Sequence, residues 1–307
     1  MMPPLVSVIV PAYNHAKFVR TCLQSVYQQD YTRLELIVVD DCSQDGTADL
    51  CRKFVAARVN KARFERCVLL RHEHNQGAYV ALNDGVAEAK GRYITFLNSD
   101  DYYDKGRISA CVGAAHGDEC FVFTGVEAVD EQGDPTISYE VIQSIKRLLK
   151  ARETRLPSLG FGFMGQQLAV STGNLFVGRR LLEEAGPFAN LRYCHDWDMA
   201  MRLIRSVEPL YVPKPLYFYR CHGTNSHLGL QNYADSETEY VLRSYFRAIK
   251  LGQISNPLAP SPVTWPGIFE MFAKSYGVYK WWQAESGAYP KGARVIAPSP
   301  DLEQIEI

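Results

Sequence analysis

Three times in its first hundred residues this chain passes from a short apolar run through a polar loop into a helical pattern, and a fourth apolar run closes the series. Residues 5–10, 34–39, 67–70 and 92–97 read as strands. Residues 16–28, 47–57 and 78–89 read as helices, the first with Phe18, Cys22, Leu23 and Val26 on one face, the last ended by Gly91. Such alternation predicts right-handed βαβ crossovers and a mostly parallel sheet with helices on both faces, an α/β fold. In sheets of that kind ligands gather at the carboxyl ends of the strands. The residues that follow each strand are therefore the first place to look for chemistry.

Four loops qualify. Pro11-Ala12-Tyr13-Asn14 follows the first strand and can lie against a base or ribose, with Tyr13 as a flat stacking face; a plain strand-to-helix turn with Asn14 as cap is the alternative. Asp40-Asp41-Cys42-Ser43-Gln44-Asp45-Gly46-Thr47 follows the second strand. Asp45-Gly46 is a turn, and Asp45 or Thr47 can cap the next helix. Two adjacent carboxylates exceed what that turn needs, and an Asp here can accept from a pyrimidine N–H. Asn75-Gln76-Gly77 opens the third helix, where the helix N-terminus favours an anion such as a diphosphate. Asn98-Ser99-Asp100-Asp101 closes the fourth strand. Carboxylates at the end of a buried strand are costly unless something cationic or hydrogen-bonded meets them. A divalent metal carrying a diphosphate would answer that need; a turn or helix cap is the alternative.

Beyond residue 101 the pattern changes. Residues 120–129, 175–177, 210–212 and 216–220 read as extended, the last two broken by Pro213 and Pro215. Residues 179–185 and 196–205 read as helices, and glycine-rich residues 160–165 as a mobile loop. A fifth cluster, Cys194-His195-Asp196-Trp197-Asp198, opens the helix of residues 196–205; Asp196 is either its cap or a carboxylate base at the mouth of the crevice. After residue 225 a capping box, Ser236-Glu237-Thr238-Glu239, predicts a helix to about residue 251. Proline-rich residues 256–266 read as a linker and residues 268–285 as an aromatic helical stretch.

With Lys and Arg totalling 33 against 34 Asp and Glu, the formal net charge of −1 argues against a nucleic-acid binder driven by phosphate contacts. The eight cysteines form no C-x-x-C pair, which speaks against a structural zinc site and for reduced thiols. No run approaches the roughly 20 apolar residues of a membrane span. The expectation is a cytoplasmic protein, with peripheral contact to the inner face of a membrane left open.

The five clusters together resemble family 2 glycosyltransferases, which have the GT-A fold. The resemblance covers about residues 6–226: V-S-V-I-V-P-A-Y-N, V-V-D-D-C-S-Q-D-G-T, N-Q-G, A-L-N-D-G-V-A-E-A-K-G-R-Y-I-T-F-L-N-S-D-D, S-T-G-N-L-F-V-G, H-D-W-D and Y-R-C-H-G-T-N-S. It implies a domain of residues 1–225, split into a nucleotide-binding half (1–101) and an acceptor half (102–225), followed by a helical extension (226–307). It implies an inverting transfer of sugar from a nucleotide diphosphate sugar, with a uridine diphosphate sugar favoured, to a saccharide or lipid-linked saccharide. Carried over residue by residue, Pro11, Ala12, Tyr13 and Asn14 line the nucleotide pocket and Asp41 meets the base. Asn75, Gly77, Asn98 and Ser99 are further donor contacts. Asp100, with Asp101 and His222, is expected at Mg2+ or Mn2+, and Asp196 is expected to take the acceptor proton. The family usually has Asp where this chain has Asn98, and Arg is common where it has Leu82. The absence of Q-x-x-R-W implies transfer of one sugar at a time. The competing reading, prompted by Asn98, is a catalytically silent nucleotide-sugar-binding or interaction module. A dehydrogenase is disfavoured because no G-x-G-x-x-G follows any strand. The aromatics of residues 268–282 suit either an interfacial helix or one packed on this domain or on a second copy.

Overall fold

The computed structural model describes residues 2–137, 139–151, 155–223, 225 and 229–285; the end of the expected extension, residues 286–307, lies outside them. One sheet of eight strands runs through the molecule in the order β3-β2-β1-β4-β7-β6-β8-β5. Its strands are β1 (Val6–Ala12), β2 (Leu34–Asp40), β3 (Arg66–Arg71), β4 (Tyr93–Phe96), β5 (Tyr102–Tyr103), β6 (Phe121–Val129), β7 (Phe176–Gly178) and β8 (Leu210–Arg220). Strands β1 to β4 are parallel, as the alternation predicts, and β7 joins β4 antiparallel to begin the mixed half. The result is the expected α/β architecture.

The pleat sorts the apolar residues. On β1 and β2, Val6, Val8, Val10, Leu34, Leu36 and Val38 face one core, with Cys22, Leu23 and Val26 of α1 (Val19–Tyr27) and Cys51 of α2 (Thr47–Ala56). Ile9, Ile37 and Val39 face the other, with Ala81 and Leu82 of α4 (Ala78–Glu88). That helix lies so close on β1 that a Cβ on Gly85 would come 2.4 Å from the Ile9 side chain.

Periodicity did not announce α3 (Arg58–Arg63), β5, α5 (Arg107–Ala114) or α6 (Glu140–Lys150). Of these, α6 carries a readable signal: Ile142, Ile145 and Leu149 are its buried stripe. Residues 160–165 are not a mobile loop. They belong to α7 (Leu159–Gly165), whose glycines permit close approach: a Cβ on Gly160, Gly162 or Gly165 would meet Pro260, Leu168 or Tyr276 below 3.0 Å. Phe161 and Phe163 turn into the core, against Phe272 and Phe121. The prolines do not break β8 in two. The strand continues through Pro213 and Pro215, which are exposed and lie where its register against β6 shifts around Gly125.

Helices α8 (Arg179–Ala185), α9 (His195–Leu203), α10 (Ala234–Lys250), α11 (Ile268–Ser275) and α12 (Tyr279–Ala284) follow among the described residues. The C-terminal helices share the core of the sheet: Leu242, Phe246, Phe269 and Trp282 are buried with Ile9, Phe96 and Phe121 in one cluster. Residues 256–266 are tied to the same body, through Asn256 Nδ2 to Ile204 O (2.9 Å) and Tyr245 Oη to Pro260 O (3.0 Å). All eight cysteines are free thiols. Among the described residues no helix is long and apolar enough to cross a membrane.

Candidate active site

The loops after β1, β2 and β4 emerge at the same sheet edge and are clasped together. Asn14 N–H donates to Ser43 Oγ (3.0 Å), and Gln44 N–H returns a bond to Asn14 Oδ1 (2.8 Å), with Asn14 in the left-handed region (φ 52°). His15 N–H donates to Thr47 Oγ1 (2.8 Å) and Ala16 N–H to Asp45 Oδ2 (2.9 Å). Asp45 also accepts from the Thr47 hydroxyl (2.6 Å); burial opposes its charge, but these bonds hold its carboxyl below the usual range. Pro11 and Ala12 end β1, with Ala12 buried, and Tyr13 beside them is 43% exposed.

Asp41 is held from the next loop. Its Oδ1 accepts from Gln76 N–H (2.8 Å) and its Oδ2 from Gly77 N–H (2.8 Å). Gly77 sits at φ 93°, a conformation that favours glycine. His72 Nδ1 lies 2.7 Å from Asp41 Oδ1, and its Nε2 lies 2.9 Å from Asp84 Oδ2. Asn75 is exposed at the rim of this loop.

At the end of β4 the carboxylates divide. Asp101 has both oxygens engaged: Oδ1 accepts from Arg220 N–H (2.8 Å), and Oδ2 accepts from the Tyr217 hydroxyl and from Asn98 Nδ2 (3.3 Å). Burial and the charge of Asp100 push its carboxyl well above the usual range. Asp100 instead faces two imidazoles. His222 Nε2 is 3.0 Å and His15 Nε2 3.8 Å from Asp100 Oδ2. Burial works against its charge, yet the His222 hydrogen bond and the two imidazoles hold it below the ordinary range. His222 is fixed from behind: its N–H donates to Asn225 Oδ1 (2.6 Å), Asn225 Nδ2 donates to Arg220 O (2.9 Å), and its ring lies 4.7 Å from that of Phe18.

One donor atom from each of His15, Asp100 and His222 lies within 4.8 Å of the others. Metal bonds of about 2.1 Å put neighbouring ligands about 3 Å apart and opposite ligands about 4.2 Å apart. The two pairs that Asp100 makes with the histidines, 3.0 and 3.8 Å, fall within that range, so the cluster is a candidate site for a divalent cation. Nitrogen and carboxylate donors suit one chemically, and a dication would offset the repulsion between Asp100 and Asp101.

Two hydrogen bonds tie the end of β4 and the start of α9 to the same short segment, Ser171-Thr172. Asn98 Nδ2 donates to Ser171 Oγ (2.7 Å). The next residue, Thr172, bonds His195 Nε2 through Oγ1 (3.1 Å), and Asp196 follows His195 at the start of α9. Ser99 Oγ lies 2.8 Å from His15 Nδ1, on the other side of the cluster. Asp196 Oδ1 accepts from Trp197 N–H (2.7 Å), and burial raises its carboxyl above the ordinary range against the pull of His195 and that N–H. The turn before α9 hangs on Glu237 of α10, whose oxygens accept from the N–H groups of Arg192, Tyr193 and Cys194, each at 2.8 Å. No capping box forms there: α10 begins at Ala234, Ser236 Oγ donates to Tyr233 O (3.1 Å) and Glu239 pairs with Arg243 (3.1 Å). Sequence reasoning thus missed His15, His72 and Glu237. Only His15 had a positional signal, standing in the loop after β1 at the ligand edge.

Residues 7–180 match the model of glycosyl transferase family 2. Among curated proteins the chain is 37% identical over 133 residues to TuaG of Bacillus subtilis (strain 168), named for a glycosyltransferase of teichuronic acid biosynthesis; the match covers 43% of this chain and 50% of TuaG. It is 29% identical over 198 residues to glycosyltransferase AglE of Haloferax volcanii, covering 61% of this chain and 57% of AglE. The chain thus spans about half the length of these relatives. Among solved structures, S. aureus TarS 1-349 in complex with UDP-GlcNAc gives a TM-score of 0.57 at 18% identity, over 92% of this chain and 79% of that one. Mannosyltransferase PcManGT from Pyrobaculum calidifontis, in complex with GDP-Man and Mn2+, gives 0.55 at 18% identity, over 93% and 86%. The two structures share the GT-A fold with this chain, and the match over residues 7–180 assigns it to a family: the chain belongs to glycosyl transferase family 2.

Proposed function

We propose that the protein transfers one sugar, with inversion, from a nucleoside diphosphate sugar to a saccharide acceptor, in surface polysaccharide or glycolipid assembly. The observation that supports this reading is the cluster of Asp100, His222 and His15 at the carboxyl edge of the parallel strands, beside a β4 end where Asn98 bonds Ser171 while Thr172 bonds His195, the residue before Asp196. The names of TuaG and of the two structural neighbours, with their UDP-GlcNAc and GDP-Man, support the class of donor and product.

In this reading residues 1–101 hold the nucleotide, residues 102–225 the acceptor, and residues 226–307 form an extension. Tyr13 stacks on the base, with Pro11, Ala12 and Asn14 beside it. Asp41 keeps lone pairs for a pyrimidine N–H, because each of its oxygens can accept more than one bond. Asn75 and Gly77 border the diphosphate; Asn98 and Ser99 border the ribose and the cluster. A divalent cation held by Asp100 and His222 would neutralise the charge that builds on the diphosphate; Asp101 braces that strand end. Asp196 accepts the acceptor hydroxyl's proton as its oxygen bonds the anomeric carbon. The carbon–phosphate-oxygen bond breaks on the opposite face, and its electron pair leaves with the nucleoside diphosphate. A carboxyl raised by burial is a stronger base than an exposed aspartate once ionised.

Thermal-shift screening of UDP, GDP, dTDP and their sugars, with and without Mn2+, should single out one donor. Asp196→Ala should then abolish transfer and leave nucleoside diphosphate binding unchanged. In the wild type, kcat/KM should fall on the acid side at a pH above the ordinary aspartate range, because Asp196 must be ionised to act. Nucleotide binding without any transfer or donor hydrolysis by the wild type would favour the silent module instead.

A further inference from the structure

We propose that His15 is a third protein ligand of the cation in this site, and that the resulting set of two imidazoles and one carboxylate selects first-row transition dications, Mn2+ included, over Mg2+. The proposal rests on the metal-dependent reading above and adds a ligand to it.

The first support is orientation. The His15 ring is set by three separate loops: its backbone N–H on Thr47 Oγ1 (2.8 Å), its Nδ1 on Ser99 Oγ (2.8 Å), and its ring edge-on to those of His222 (5.8 Å) and Phe18 (6.3 Å). With Nδ1 engaged by Ser99, Nε2 is the nitrogen turned to Asp100. A histidine that ligates a metal is fixed in this way through its other ring nitrogen. The second support is distance. At 3.8 Å, His15 Nε2 and Asp100 Oδ2 are too far apart to hydrogen-bond. That gap lies between the spacings of neighbouring and opposite ligands on one dication, and His222 Nε2 lies 3.0 Å from the same oxygen, at the neighbouring spacing.

The third support is the donor count. Asn98 stands at the head of the acidic cluster, and its amide holds Ser171 and Asp101. Asp101 has its oxygens on Tyr217, Arg220 and Asn98. Only Asp100 is left as a carboxylate facing the histidines, so an imidazole from the β1 loop restores a third ligand. Mg2+ seeks oxygen donors and holds its waters, whereas imidazole suits the first-row transition metals.

The test uses the full chain and Mn2+, alone and with UDP. Pulsed electron paramagnetic resonance counts the nitrogens bound to Mn2+, and isothermal titration gives Mn2+ and Mg2+ affinities. Two coordinated nitrogens in the wild type and one in H15A, with Mn2+ affinity about 10- to 100-fold lower in H15A and Mg2+ affinity little changed, would sustain the proposal. One nitrogen that survives H15A and disappears in H222A would overturn it and leave the metal-dependent reading standing. A wild type that prefers Mg2+ would also overturn it. A protein that binds UDP but no Mn2+ under either condition would end both. Should H15A fail to fold, the nitrogen count of the wild type decides alone.

Discussion

At the scale of single residues, the loop that carries Asp41 depends on a histidine held between two carboxylates. Burial pulls His72 toward its neutral form, but the bonds to Asp41 and Asp84 outweigh it and raise its pKa. A raised histidine stabilises the fold fully below the ordinary histidine range and loses that contribution as pH rises through the raised value. His72→Ala should therefore make the fall in melting temperature between about pH 6 and pH 9 shallower than in the wild type. It should also weaken nucleoside diphosphate binding, because Asp41 loses one of its tethers; parallel melting curves and unchanged affinity would show that His72 does not hold the loop. His72 was not legible in the sequence. A lone histidine beside a turn has no local mark that tells a tether from a surface residue. Asp41, Asp100 and Asp196 were legible as candidates because carboxylates at strand or helix ends need partners wherever they occur. How Asp100 and Asp101 would divide was not legible, since it is set by Tyr217 and Arg220, more than a hundred residues downstream.

At the scale of elements, α10 and the turn before α9 act as one unit. Glu237 is 1% exposed and serves three backbone donors, so its loss would leave the buried Cys194 N–H and the partly buried N–H groups of Arg192 and Tyr193 without this partner. Glu237→Ala should destabilise the protein by about 1–3 kcal/mol in chemical denaturation, and Glu237→Gln by less. Both should lower kcat more than they raise KM for the donor, because the displaced group is Asp196 and not the nucleotide loops. A stable Glu237→Ala protein with full kcat would disprove the coupling. The parallel half of the sheet was readable because its alternation repeats, with β1, β2 and β4 almost wholly buried and helices between them. In the second half, tertiary contacts override local signals. Gly160, Gly162 and Gly165 read as loop residues, yet they are there to let Pro260, Leu168 and Tyr276 approach a helix. The two prolines read as breaks, yet they occupy the exposed bulge of a continuous strand. The box at Ser236 had the right spacing for a cap, but Glu237 and Glu239 are drawn to partners elsewhere.

At the scale of the whole molecule, the sheet, α7 and the stretch before β8 meet at Glu208. Its Oε1 accepts from Leu159 N–H (2.7 Å), and burial pushes its carboxyl up to about 7. A carboxyl raised in the folded state favours folding fully below its unfolded pKa of 4.5 and loses that contribution as pH rises through about 7. Glu208→Gln should therefore raise the melting temperature at pH 8 and change it little at pH 5. Equal shifts at both pH values would count against an ionised Glu208 as the source. The helices that follow β8 add a last consequence. Because Glu237 reaches back from α10 to the amides just ahead of Asp196, the tail cannot be trimmed or exchanged as an independent module. A shortened chain that still binds nucleotide would have lost the support of the turn that presents Asp196, and a tail grafted from a relative would have to bring its own carboxylate to that turn.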